Sequence, residues 1–201
     1  YRRRLILIVL AVAMIIGIRP MYGKVFTKVL QITGSDVILI DPGHGGMDGG
    51  ATSDAGVSEK NINLAIALDI KKLAEADGWN VVMTREDDRA LGSSGSKTIR
   101  SQKTADLIAR KQMIKDVKPT VAVSIHLNSF KQDRSVRGAQ TFFPSGSADQ
   151  AVLDESRKLA EAIQEQLVTG IGDGNDRAAL GKRDVLMLKN PTVPIVIVEC
   201  G

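Results

Sequence analysis

Cysteine and histidine are scarce in this 201-residue chain, with one of the first (Cys200) and two of the second (His44 and His126). A lone cysteine excludes a disulfide framework. Its place beside Glu199 leaves two readings open, a nucleophilic thiol and the commoner small buried hydrophobe. Aromatics are few, with one Trp and two Tyr, so stacking platforms for bases are largely missing. Acidic residues are absent from residues 1–30, which carry six basic ones (Arg2, Arg3, Arg4, Arg19, Lys24 and Lys28). Removing those six from the overall +4 leaves −2 for the remainder. A nucleic-acid binder carries its basic excess on the folded domain. This chain does not, and no nucleic-acid partner is expected.

A long uncharged run is also missing. Leu5–Ile18 spans 14 residues, about 21 Å as a helix against the ~30 Å of a hydrocarbon core. That length suits a signal-peptide core. No small-x-small cleavage site follows it, since Ala11-Val12-Ala13 lies inside the run. Residues 1–20 therefore read as a signal peptide or, preferably, an uncleaved anchor lengthened by snorkelling of Arg4 and Arg19. In either case the basic flank stays in the cytoplasm and the domain is exported, with the membrane as a partner of the N-terminal segment. Residues 21–35 read as a linker, and residues 36–201 as one domain large enough for a hydrophobic core.

Val- and Ile-rich runs at 36–40, 80–84, 120–125, 138–143, 185–188 and 194–198 read as strands. Between them, residues 58–76 place Ile62, Ile66, Ile70 and Leu73 on one helical stripe, with Ser58 as N-cap and Gly78 as stop. Residues 148–168 repeat the pattern through Val152, Leu159, Ile163 and Leu167, opened by a Ser147/Gln150 capping box. A third helix covers roughly 104–117, and 86–103 reads as an exposed loop. Strands alternating with helices predict a single α/β domain with a central, mostly parallel β-sheet flanked by helices.

Both histidines sit where an apolar strand gives way to a turn, in Ile40-Asp41-Pro42-Gly43-His44-Gly45-Gly46 and in Ser124-Ile125-His126-Leu127-Asn128. Open α/β sheets present ligands beyond the carboxyl ends of their strands. Glu59 starts the 58–76 helix on its core-facing stripe, a short loop away from His44. Two imidazoles and one carboxylate form a recognised catalytic zinc set with an open position. Asp41 and Asn128 flank the histidines, where either can orient an imidazole, although Asp41 is equally a turn-former. The glycines do not form a phosphate loop, because Asp48 stands where a dinucleotide motif needs glycine and no Gly-Lys-Ser/Thr follows. Glu199 ends the most apolar strand, where a desolvated carboxylate beside a metal serves as general base and acid. The competing reading pairs Glu199 structurally with Arg85 or Arg110.

Five ordered motifs resemble those of the zinc-dependent N-acetylmuramoyl-L-alanine amidases known as amidase type 3. They are Ile-Asp-Pro-Gly-His-Gly-Gly, Ser58-Glu-Lys-Asn-Ile-Asn-Leu64, Met83-Thr84-Arg85, Ser124-Ile125-His126-Leu127-Asn128-Ser129, and Val196-Ile197-Val198-Glu199-Cys200-Gly201. The resemblance covers about residues 36–201. It implies His44, Glu59 and His126 as Zn2+ ligands and Glu199 as the catalytic glutamate. It also implies peptidoglycan as substrate, cleaved at the amide between muramic acid and L-alanine. Arg85 and Arg110 are candidates to hold peptide carboxylates or to serve as structural ion-pair partners, and Asn128 is a third candidate substrate contact. The small, anchored layout is similar to the germination-specific spore-cortex amidases, which strip peptides so that muramic-δ-lactam can form. The family pattern continues past Glu-x-Gly into a terminal helix, so the domain is expected to be truncated at its C-terminus. Three rivals stay open: another exported zinc peptidase or amidase, a non-catalytic wall-glycan-binding module, and a cysteine hydrolase using Cys200. An accessory protein partner is compatible with the sequence but not specified by it.

Overall fold

A computed structural model describes residues 37–92, 98–128, 138–172, 174 and 176–201. The expected anchor (1–20) and linker (21–35) lie outside the described residues. Among those described, no helix is long and apolar enough to cross a membrane.

In chain order the elements are β1 (Val37–Pro42), α1 (Glu59–Ala76), β2 (Asn80–Met83), α2 (Ile99–Val117), β3 (Val121–His126), β4 (Gln140–Pro144), α3 (Gln150–Ile171), β5 (Leu180–Lys182), a 3-10 turn (Leu186–Leu188) and β6 (Ile195–Glu199). They build one six-stranded sheet in the order β2-β1-β3-β6-β4-β5. Strands β2, β1, β3 and β6 are mutually parallel, and only the β4–β6 pairing is antiparallel. The mostly parallel α/β domain expected from the alternation of elements is the one observed.

The central strands read as continuous Val/Ile runs because both their faces are covered. On one face Ile38, Ile40, Ile125, Val196 and Val198 pack under α1 and α3 through Ile66, Ile70, Leu159, Ile163 and Leu167. On the other, Leu39, Ala122, Ile195 and Ile197 meet Ile114 of α2 and Met187 and Leu188 of the 3-10 turn. From β1 the chain crosses one way to β2 and the other way to β3. The carboxyl edge of β1 and β3 is therefore a topological switch point, where such sheets open a crevice.

Three local expectations are corrected. Residues 185–188 form a 3-10 turn rather than a strand, while the strand Leu180–Lys182 is exposed throughout and carries no apolar alternation to betray it. Helix α2 starts at Ile99, inside the expected loop, capped by Thr98, whose side chain accepts from the Ser101 N–H. Its buried face is Asp106, Arg110 and Ile114, too polar for an apolar stripe to reveal. Helix α3 is capped by Asp149, accepting from Ala151 and Val152 N–H, instead of by a Ser147/Gln150 box. Ser58 holds the N-cap position of α1 without a side-chain cap bond.

Candidate metal centre and catalytic acid

Beyond β1 the chain turns sharply. Gly43 N–H donates to Ile125 O across the sheet, and Gly45 and Asp48 exchange backbone hydrogen bonds of 2.9 and 3.1 Å. His44 sits in the left-handed region at φ 63°, a conformation uncommon outside glycine though histidine is among the residues enriched there. Asp48, four residues on, accepts from His44 Nδ1 at 2.9 Å. A carboxylate on one ring nitrogen fixes the ring and leaves the other free for a ligand. That other nitrogen, Nε2, lies 3.2 Å from Glu59 Oε1. His126, the last residue of β3, brings its Nδ1 to 3.3 Å from the same oxygen. The two rings stand edge to face, with centroids 4.9 Å apart. One donor atom from each of His44, Glu59 and His126 lies within 4.8 Å of the others, so the three residues singled out in the sequence converge.

Glu59 occupies the first turn of α1 and is buried. Its Oε2 accepts from Ala51 N–H at 2.8 Å and its Oε1 from Leu127 N–H at 3.0 Å. Burial alone would raise its pKa, but the bonds from His126 and His44 and from those two amides outweigh it, holding the carboxyl far below its usual range. Such a group is an anion at any working pH. Space around it is cut to the atom. A Cβ on Gly43 would lie 2.3 Å from His126 Cε1 and Nε2, and one on Gly50 would lie 2.5 Å from Glu59 Oε2.

Glu199 lies directly beside His126 in the β3–β6 register. Its Oε2 is buried and has no hydrogen-bond partner. Burial pushes its pKa up by more than His126, His44 and Lys182 pull it down, and the Glu59 charge adds to the rise. Glu199 forms no ion pair among the described residues, so a carboxylate with one buried, unpartnered oxygen stands beside the three clustered donors as a candidate for proton exchange.

The two arginines proposed as carboxylate holders are turned inward, each 1% exposed. Arg85 donates through Nε to Pro42 O, through Nη1 to Asp87 O, and through Nη2 to Gly43 O and Lys60 O. Arg110 pairs with Asp41 and Asp106 at 2.6 Å each and donates to Pro42 O and His44 O. Both guanidiniums are consumed in holding the His44 turn, so neither faces a substrate and neither pairs with Glu199. Asp41 does not orient an imidazole. It accepts from Thr84, Arg110 and Ser124 at 2.6 Å, tying β1 to β3, α2 and the residue after β2. Asn128 is half-buried, two residues beyond His126. Cys200 is buried, and burial together with the adjacent Glu199 charge pushes its pKa up to about 12. A thiol so protonated is no nucleophile at neutral pH.

Two supporting residues escaped the sequence reading. Asp48 orients His44 and is held by Lys103 at 2.6 Å. Asn63, fully buried, donates to Gly43 O at 3.3 Å and Glu59 Oε1 at 3.4 Å. Its place four residues after Glu59 on the buried stripe is the signal that would have found it.

Fold and donor set define an open α/β domain with a candidate metal site at the carboxyl edge of its sheet. The family is more specific: the sequence model described as N-acetylmuramoyl-L-alanine amidase matches residues 38–201, and the chain belongs to that family. Among similar proteins, the germination-specific N-acetylmuramoyl-L-alanine amidase of Bacillus subtilis (strain 168) is 32% identical over 165 residues, covering 82% of this chain and 66% of that protein. AmiC, the N-acetylmuramoyl-L-alanine amidase of Neisseria meningitidis serogroup B (strain ATCC BAA-335 / MC58), is 29% identical over 186 residues, 81% of this chain and 44% of that one. The chain thus spans about two thirds of the first relative and less than half of the second. Among solved structures, the CwlD amidase from Clostridioides difficile, in complex with the GerS lipoprotein, superposes with a TM-score of 0.74 at 40% identity, over 82% of this chain and 81% of that one. Ami1 of Mycobacterium smegmatis shares the fold, with a TM-score of 0.65 at 22% identity over 85% of this chain and 83% of that one.

Proposed function

We propose that this chain hydrolyses the amide joining the lactyl group of N-acetylmuramic acid to L-alanine in peptidoglycan, with zinc held by His44, Glu59 and His126. The observation that carries this reading is the convergence of those three donors beside the unpartnered carboxylate of Glu199. Two imidazoles and a carboxylate suit zinc better than hard-oxygen or thiolate metals. Zinc bound there supplies Lewis acidity, polarising the amide carbonyl and lowering the pKa of water towards ~7.

The chain's own residues do the rest. Asp48 keeps a proton on His44 Nδ1, so that Nε2 remains a lone-pair donor. Glu59, kept anionic by the Ala51 and Leu127 amides, offsets cationic charge beside the two imidazoles. Glu199 takes a proton on Oε2 from the attacking water, whose oxygen bonds to the carbonyl carbon. As the C–N bond breaks, Glu199 returns that proton to the departing alanine nitrogen. Its raised pKa suits both halves of the exchange.

The likeness to the germination-specific amidase supports action on spore-cortex peptidoglycan, outside the cytoplasm. The lipoprotein bound to the neighbouring CwlD structure supports an accessory protein partner for this chain as well. The test is bound zinc and free muramoyl-peptide ends released from peptidoglycan, measured for the native chain and Glu199→Ala. The variant is expected to keep metal and lose turnover. Normal hydrolysis by that variant, or by metal-free protein, refutes the mechanism.

A further inference from the structure

With Arg85 and Arg110 buried in the scaffold, the peptide's negative charge needs another counterpart. Strand register supplies one. His126 faces Glu199 across the β3–β6 pair, and Glu199 faces Gln140 across the β6–β4 pair. Partners in register project to the same face, so a ligand, the catalytic acid and Gln140 stand abreast at strand spacings of about 4.8 Å.

Gln140 is buried and used at both ends. Its Nε2 donates to Ala178 O, and its Oε1 accepts from Arg177 Nη1 at 3.3 Å. It therefore docks the segment before β5 against the sheet and places a guanidinium at the sheet edge. Arg177 is half-buried, and among the described residues this is its one hydrogen bond, leaving most of its N–H donors available. Lys182, at the end of β5, is exposed, with its ammonium 4.7 Å from the centroid of the Phe142 ring. Phe142 lies two residues along β4 from Gln140, on the same face. Lys182 is near enough for its charge to act on Glu199. Among the described residues neither cation is paired with a carboxylate.

We propose that Arg177 and Lys182, on the shelf anchored by Gln140, recognise a free carboxylate on the stem peptide one or two residues beyond the scissile amide. This rests on the amidase reading above and deepens it to substrate specificity. The muramic acid half presents neutral sugar around the scissile bond, its lactyl carboxyl being consumed in the amide. Carboxylates lie on the peptide half. An extended peptide advances about 3.3–3.6 Å per residue. With its amide over His126 and Glu199, its next residues pass over Gln140 and within reach of both cations. The shelf thus sets which way round the substrate lies.

The test uses the zinc-loaded full chain and two synthetic muramoyl peptides. These are identical except that the residue after L-alanine carries either a free carboxylate or its carboxamide. The native chain is expected to favour the carboxylate by roughly tenfold in kcat/KM, the size of one charge-assisted hydrogen bond. Arg177→Met and Lys182→Met should each bring that ratio towards one, chiefly through KM for the acidic substrate. Arg177→Lys should retain part of the preference, and Lys158→Met, on the exposed face of α3, all of it. Zinc content and melting temperature certify that each variant is folded. A native ratio of one, or an unchanged ratio in both methionine variants, overturns the shelf assignment. Failure of the native chain to cleave either peptide instead refutes the amidase reading, and the shelf falls with it.

Discussion

Gly43→Ala isolates the geometry of the metal centre from the stability of the fold. The added methyl would lie 2.3 Å from two atoms of the His126 ring and 2.7 Å from a third. Ordinary carbon contacts fall at about 3.5–4.0 Å, so the ring must retreat by roughly 1 Å or more. The backbone cannot yield instead, because Gly43 N–H is bound to Ile125 O and its carbonyl holds Arg85 and Asn63. Gly43 does not need left-handed φ, so alanine adds no backbone strain there. The overpacking should cost about 1–3 kcal/mol. Displacing a ligand should weaken zinc by about 100-fold or more, the upper end of what loss of a supporting residue does. By linkage, a 100-fold loss removes about 2.7 kcal/mol of zinc-dependent stabilisation. For a domain of this size that is roughly 5–10 °C of the melting-temperature rise on adding zinc. Chelator competition and thermal melts with and without zinc measure both quantities. Native zinc affinity and an undiminished zinc-dependent rise in Gly43→Ala would refute the packing argument.

Other outcomes follow from the same geometry. Asp41→Asn leaves buried Arg110 with Asp106 as its one remaining carboxylate partner and weakens the bonds from Thr84 and Ser124, so it should destabilise the fold by about 1–3 kcal/mol in urea unfolding; no measurable loss would contradict the role given to Asp41. In metal-free protein, burial lowers the His44 pKa, but the bonds to Glu59 and Asp48 outweigh it and raise the value above that of free imidazole. The stability this proton confers is complete below the ordinary imidazole value and is lost as pH rises through the raised one. Zinc binding runs the opposite way, strengthening as the proton leaves, so Asp48→Asn should move the midpoint of zinc affinity against pH downward; an unmoved midpoint denies Asp48 its hold on His44. Cys200, its pKa pushed up to about 12, should resist alkylation in the folded protein at pH 8 and react only after unfolding. Rapid labelling by mass spectrometry, with loss of turnover, would revive a thiol mechanism.

The fold was legible wherever hydrophobic burial dictated it. β1, β3 and β6 are apolar because both faces of the sheet are covered, and α1 and α3 announce themselves by period. Where polar interactions do the burying, the sequence misleads. The inner face of α2 is an aspartate, an arginine and an isoleucine, so its first turns read as loop. β5 is an exposed edge with nothing to bury and left no trace. At the site, His44, Glu59 and His126 stood out because strand ends and a helix start place them at one sheet edge. Arg85 and Arg110 were open to two readings because a guanidinium serves a buried carbonyl or an external carboxylate equally well. Only the path of the chain decides between them, and it turns both inward to Pro42, Gly43 and His44. Asp48 went unread as a histidine partner because its bond depends on the left-handed turn at His44, which no periodicity encodes.

The central claim is that two imidazoles and one carboxylate, from three separate segments, share a single divalent cation. Zinc K-edge X-ray absorption on the stoichiometrically loaded chain tests it most directly. The account predicts a first shell of nitrogen and oxygen at about 2.0–2.2 Å with the outer-ring scattering of two imidazoles, reduced to one in His126→Ala. Sulfur at about 2.3 Å, or a spectrum unchanged by that substitution, would contradict it.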